Sequence, residues 1–160
     1  MSTRVLFVCL GNICRSPLAE NEFRRQVREA GLDGQFEIDS AGTGGYHHGE
    51  QPDRRMAATA RQHGLEMAGR ARQFQQSDFD DFDWIIAMDA SNRADILRLA
   101  RGPADRAKVR MLREFDPQAA GDLDVPDPYY GGGDGFEYVY QIVERSARTL
   151  LAELTSDQLR

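Results

Sequence analysis

Apolar and polar positions along the chain alternate between two periods. Val5-Leu6-Phe7-Val8 is a short continuous apolar run with two β-branched members, the pattern of a strand buried on both faces. The run stops at Gly11-Asn12, and Ser16-Pro17 then reads as a helix start, a capping residue followed by one whose fixed φ suits the first turn. Ala19, Phe23, Val27 and Ala30 recur at helical spacing, with Gly31 as the stop. Phe36 to Ser40 alternates like a second strand, and the glycine-rich stretch Ala41 to Pro52 reads as a long loop. Asp53 caps a helix that turns Met56, Ala57 and Ala60 inward and ends at Gly64.

Trp84 to Met88 is the third strand and Val109 to Leu112 a weaker fourth. Between them Asp89 to Arg101 reads as a helix burying Ala94, Leu97 and Ala100, closed by Gly102-Pro103. The aspartate-rich run Ser77 to Asp83 reads as a solvated helix start. After a loop from Asp116 to Gly135, Asp134 and Glu137 have capping-box spacing. Phe136, Val139, Tyr140, Val143, Ala147, Leu150, Leu151 and Leu154 then mark a long terminal helix. Strand and helix in strict alternation predict an α/β fold, a parallel four-stranded sheet with helices on both faces. In such sheets a site lies beyond the strand C-termini, and Cys9 stands there, directly after the first strand.

Composition narrows the reading. The chain has 160 residues, expected to form a single domain over 1–160, with 41% hydrophobic and 29% charged residues. No apolar run approaches the roughly 20 residues of a membrane helix, and the longest, Val5 to Leu10, is too short for a secretory signal. A net charge of −6 argues against nonspecific nucleic-acid or membrane binding, and a cytoplasmic monomer is expected. Lys108 is the single lysine among 20 basic residues, so a small arginine cluster is weak evidence by itself. The two cysteines, Cys9 and Cys14, lie too close to close a long loop, which points to thiol chemistry rather than a structural staple.

The loop Cys9-Leu10-Gly11-Asn12-Ile13-Cys14-Arg15-Ser16 has the parts of an anion site. Gly11 and Asn12 tolerate unusual backbone angles, and successive N–H groups curling into a helix start form a nest for phosphate oxygens. Arg15 adds a planar fork for two such oxygens, while the missing Gly-Lys-Ser/Thr argues against a nucleotide triphosphate. The same field favours the thiolate of Cys9, and Ser16 is placed to donate a hydrogen bond to it. A thiolate under a phosphate cradle implies attack on phosphorus; the alternative is a buried small side chain at a strand end. Asp127, between Pro126 and Pro128, is a candidate general acid and base, or else only turn chemistry. Cys14 is placed to form a reversible disulfide with Cys9, or else is a small core residue. Asp89 either orients Arg15 or only caps the helix that follows it.

Taken together, Cys9 to Ser16, Ser40-Ala41-Gly42-Thr43, Ala71-Arg72-Gln73, Met88-Asp89 with Ser91-Asn92, and Asp127-Pro128-Tyr129-Tyr130 resemble the low-molecular-weight protein tyrosine phosphatases over nearly the whole chain. The resemblance implies a flavodoxin-like strand order 2-1-3-4, phosphotyrosine-containing proteins as substrates, inorganic phosphate as product, and no cofactor or metal. It assigns Cys9 as nucleophile, Arg15 as phosphoryl ligand, Ser16 as thiolate support and Asp127 as acid and base. Asn12 resembles the residue that holds the loop, bonded in part to Ser40, and the redox role of Cys14 gains weight. Many family members carry His where this chain has Gly69, which puts one supporting bond to the loop asparagine in question. His63 is then expected to be structural.

Tyr46, Tyr129 and Tyr130 are candidate walls of a slot deep enough for an aryl phosphate, with His47 and His48 on the same rim. Ile13 stands where related arginine phosphatases tend to place Thr, which tilts selectivity toward phosphotyrosine. Arsenate reductases of this fold use further cysteines that this chain lacks. Two alternatives stay open: a phosphoarginine phosphatase, and a phosphate-binding module without turnover.

Overall fold

The computed structural model describes residues 2–128 and 135–158. Its strands are β1 (Thr3–Cys9), β2 (Phe36–Gly42), β3 (Trp84–Ala87) and β4 (Val109–Met111). They form one parallel sheet, as the alternation predicts, in the order β2-β1-β3-β4 that the resemblance implies. The helices are α1 (Arg15–Glu29), α2 (Arg54–Gln62), α3 (Asp78–Asp81), α4 (Ala90–Arg98), α5 (Pro103–Ala107) and α6 (Gly135–Gln158). The short α5 and the 3-10 turns Asp33–Gln35 and Leu112–Phe115 carry too few residues for a readable period.

The central strands β1 and β3 bury both faces over Val5–Cys9 and Ile85–Ala87, while Glu37 on the edge strand β2 is exposed, and the sheet separates two apolar layers. Val5, Phe7 and Cys9 face a layer built with Leu18, Phe23 and Val27 of α1, Met56 and Ala60 of α2 and the inner stripe of α6. Leu6 and Val8 face the other layer, with Phe74, Phe79 of α3 and Ile96 of α4. In the first layer Phe7, Phe23 and Phe36 meet edge to face, at ring separations of 5.6 and 5.7 Å.

Several expectations need correction. Helix α1 begins at Arg15 with Cys14 in the capping position, so Ser16 is not the cap and its hydroxyl is spent elsewhere. Polar residues Glu20, Asn21, Glu22 and Gln26 are buried on α1 because α6 and the segment around Ala68 cover its flanks, while Ala30 is exposed. Glu22 is satisfied there by Arg25, Gln26 and the Tyr140 hydroxyl. On α4 the buried face is Asn92 and Ile96; Ala94 is exposed and Leu97 and Ala100 are half-buried. The run from Ser77 is only partly solvated, since Asp78 is buried and receives both terminal nitrogens of Arg72. Asp53 caps α2 as expected, its carboxylate accepting from the N–H groups of Arg55 and Met56. The expected partner of Glu137 in a capping box, Asp134, lies outside the described residues.

Candidate active site

The loop between β1 and α1 takes its shape from Asn12, whose φ of +57° lies in the left-handed region. Gly11, the other candidate for unusual angles, is not left-handed. Its lack of a side chain matters for space, since a Cβ there would come within 2.8 Å of the His47 ring. Gly42 serves the same end at the tip of β2, where a Cβ would sit 2.6 Å from the Leu10 carbonyl oxygen.

Inside this loop Cys9 Sγ lies 2.9 Å from the Ser16 hydroxyl, and the Asn12 N–H donates to the sulfur at 3.3 Å. The Asn12 amide donates to both Ser16 Oγ and Ser40 Oγ at 2.9 Å, and its oxygen accepts from the Arg72 N–H at 2.9 Å. Ser40 in turn donates to buried Glu20 at 2.6 Å. All three hydrogen-bonding positions used on Asn12 are therefore filled without the histidine that Gly69 replaces, and Gly69 holds a φ of +106° that only glycine adopts comfortably.

Arg15 is buried and bolted from outside the loop. One terminal nitrogen donates to Asp89 at 2.7 Å and to the Val125 carbonyl at 2.9 Å. Burial works against its charge, but Cys9, Asp89 and Asp127 together raise its affinity for the proton above the ordinary arginine value. Asp89 contacts both Arg15 and the helix that follows it, because its other oxygen accepts from the Asn92 N–H at the start of α4. Cys14 is the opposite case: burial first, and then the Cys9 charge, push its thiol well above the usual range.

Cys9, Leu10, Gly11, Ile13, Cys14, Arg15, Tyr46 and Asp127 line one cavity of about 480 Å³. Asn12 and Ser16 form its back wall rather than its lining, each buried behind the loop. His47 joins the lining and pairs with Glu50, but His48 faces a separate hollow beside Arg72 and is not on this rim. Asp53 belongs to the cavity although only its capping role is legible in the sequence; its N–H bonds the Ile13 carbonyl at 2.6 Å and so places it at the mouth. Tyr129 and Tyr130 lie outside the described residues. His63 stays away from the site, stacked on Tyr140 and bonded to Glu137. Two larger hollows, about 990 and 850 Å³, contain no cysteine, so chemistry and not size selects the site. Among the described residues no group of three or more His, Cys, Asp or Glu is placed to hold a metal ion.

The family model for low molecular weight phosphotyrosine protein phosphatases matches residues 4–159. The chain belongs to this family. A low molecular weight protein-tyrosine-phosphatase of Streptomyces coelicolor is 54% identical over 153 residues, covering 95% of this chain and 93% of the relative. The crystal structure of a protein tyrosine phosphatase from Entamoeba histolytica, with Hepes in its active site, superposes with a TM-score of 0.92. It is 37% identical and covers 98% of this chain and 99% of that one. The Drosophila arginine phosphatase superposes with a TM-score of 0.87 at 34% identity, covering 96% of this chain and 98% of that one. Family and fold thus agree with the resemblance carried by the loop and the late Asp-Pro-Tyr-Tyr. The order β2-β1-β3-β4 puts Cys9 at the tip of a central strand, between the ends of β2 and β3.

Proposed function

We propose that this protein hydrolyses phosphotyrosine in proteins, and small aryl phosphates, through a phosphocysteine on Cys9. The observation that carries the reading is the shared cavity of Cys9, Arg15 and Asp127, with the Ser16 hydroxyl 2.9 Å from the sulfur. Cys9 attacks phosphorus as thiolate, the bond from phosphorus to the phenolic oxygen breaks, and protonated Asp127 gives its proton to the departing oxygen. Water then attacks the phosphocysteine while Asp127 takes its proton, releasing inorganic phosphate and the Cys9 thiolate. Arg15 and the loop N–H groups stabilise the charge on the equatorial oxygens, and most of the acceleration is positioning and electrostatics. The protein acts as one domain over 1–160, a cytoplasmic monomer that needs no metal. Cys14 protects oxidised Cys9 by forming a disulfide with it.

Phosphoarginine is the second reading, favoured by the likeness to the Drosophila arginine phosphatase. Ile13 in the cavity wall supports the aryl substrate instead, because its apolar side chain suits a ring better than a guanidinium. Side-by-side turnover of phosphotyrosine and phosphoarginine peptides, in EDTA, decides between them, with Cys9→Ser as the inactive control. Faster turnover of phosphoarginine overturns the substrate assignment. Phosphate or phosphotyrosine binding without turnover by the reduced protein overturns the enzyme and leaves a binding module.

A further inference from the structure

A hollow of about 990 Å³ opens beside the catalytic cavity, and Asp53 lines both. Helix α2 lines one side of it with Arg55 and with a stripe of Arg54, Ala57, Ala58 and Arg61, spaced i, i+3, i+4 and i+7 on one helical face. Arg54 and Arg61 therefore stand about 10 Å apart along the helix axis, the length of about three residues of extended chain. The alanines between them leave a shallow shelf.

The charge of this shelf is only partly spent. Arg54 is exposed and makes no ion pair among the described residues, while Arg61 reaches Glu66 only in an exposed pair at 3.4 Å. The Asp53 carboxylate is committed to the first-turn N–H groups of α2 at 2.9 and 3.0 Å. Two available guanidiniums on one face contrast with a chain whose net charge is −6.

We infer that this groove is a second recognition site, which binds acidic side chains flanking the phosphotyrosine of a protein substrate. The inference rests on the phosphatase reading above and names the class of sequence that it prefers. A peptide whose phosphotyrosine enters the catalytic cavity passes Asp53 at the mouth and lies along α2. Its glutamates or aspartates then meet Arg61 and Arg54 while its backbone crosses the alanine shelf. A small aryl phosphate does not reach this far.

The test compares phosphotyrosine peptides carrying glutamates within three residues on the N-terminal side, on the C-terminal side, or replaced by glutamine. Each is assayed with the wild type, with Arg54→Gln/Arg61→Gln and with Arg54→Glu/Arg61→Glu, alongside p-nitrophenyl phosphate. The wild type is expected to prefer one glutamate peptide over its glutamine counterpart by about three- to tenfold in kcat/KM at low ionic strength, a preference that fades with salt. The glutamine variant abolishes the preference and the glutamate variant reverses it, both keeping wild-type turnover of p-nitrophenyl phosphate. Equal rates on all peptides with the wild type, or a preference that survives in the double variants, overturns the groove assignment. Absence of turnover on every peptide and on p-nitrophenyl phosphate overturns the phosphatase reading instead.

Discussion

Arg15 and Asp89 meet at 2.7 Å, joining the first turn of α1 to the residue that follows β3 and caps α4. The pair is largely shielded from water, with side-chain exposures of 6% and 21%. Asp89 thus bonds the Arg15 guanidinium and the start of α4 together. Asp89→Asn retains a capping oxygen for Asn92 but loses the charge. It is expected to cut kcat for aryl phosphates by about tenfold or more through looser orientation of Arg15. Asp89→Ala loses both functions and, beyond that, about 1 kcal/mol of stability to chemical denaturation. Equal kcat for Asp89→Asn and the wild type contradicts the orienting role.

Ser16 and Asn12 act on the sulfur directly. Removing the hydroxyl with Ser16→Ala is expected to slow iodoacetate alkylation of Cys9 at neutral pH and to lower kcat by about 10- to 100-fold, the scale of a lost donor to a reacting charge. Unchanged alkylation kinetics would show that the 2.9 Å contact does not support the thiolate.

Cys14 offers a redox prediction. On the proposed reading, peroxide converts the Cys9 thiolate to a sulfenic acid, and the Cys14 thiol condenses with it, releasing water and leaving a disulfide. Burial holds Cys14 as thiol, so it does not compete as a nucleophile at rest. Peroxide-treated wild type is expected to regain activity with dithiothreitol, whereas Cys14→Ser is expected to be lost to sulfinic acid. Full recovery of Cys14→Ser argues against the protective disulfide.

The acid limb of stability should depend on Asp116. Burial pushes this carboxyl toward the neutral acid, but Arg145, the Gln118 N–H and Arg113 outweigh it and hold its pKa below the usual range. A folded-state pKa below the unfolded value gives stability that is complete above the unfolded value, near 4 for Asp, and lost as pH falls through the folded one. Asp116→Asn is expected to be less stable at pH 7 and to lose less stability than the wild type between about pH 5 and pH 2. Parallel losses for both proteins, read from urea midpoints, would contradict this.

How far the sequence carries is clearest at particular residues. Four strands and the cysteine loop are legible because short apolar or alternating runs and the Cys-x5-Arg spacing are local signals, whereas the strand order comes only with the family resemblance. Asp53 illustrates the limit: its capping role is local, but its place at the cavity mouth depends on a bond to Ile13, 40 positions earlier. His47 and His48 are neighbours in sequence, yet the glycine-rich loop turns them into different hollows. Asp78 reads as solvated until Arg72, held by its backbone to Asn12, reaches over to bury it. Buried charge of that kind is set by long-range pairing and leaves no periodic trace.

The proposed chemistry turns on the phosphocysteine. Rapid acid quenching of the enzyme with a labelled aryl phosphate, followed by peptide mapping, tests it most directly. Label is expected on Cys9 in the wild type, is expected to be retained in Cys14→Ser, and is expected to be absent in Cys9→Ser. Asp127→Ala should form the adduct with an activated leaving group yet slow about 10²- to 10⁴-fold with an unactivated phenol, which needs the proton. Label on any other residue, or full turnover by Cys9→Ser, would rule out a phosphocysteine on Cys9.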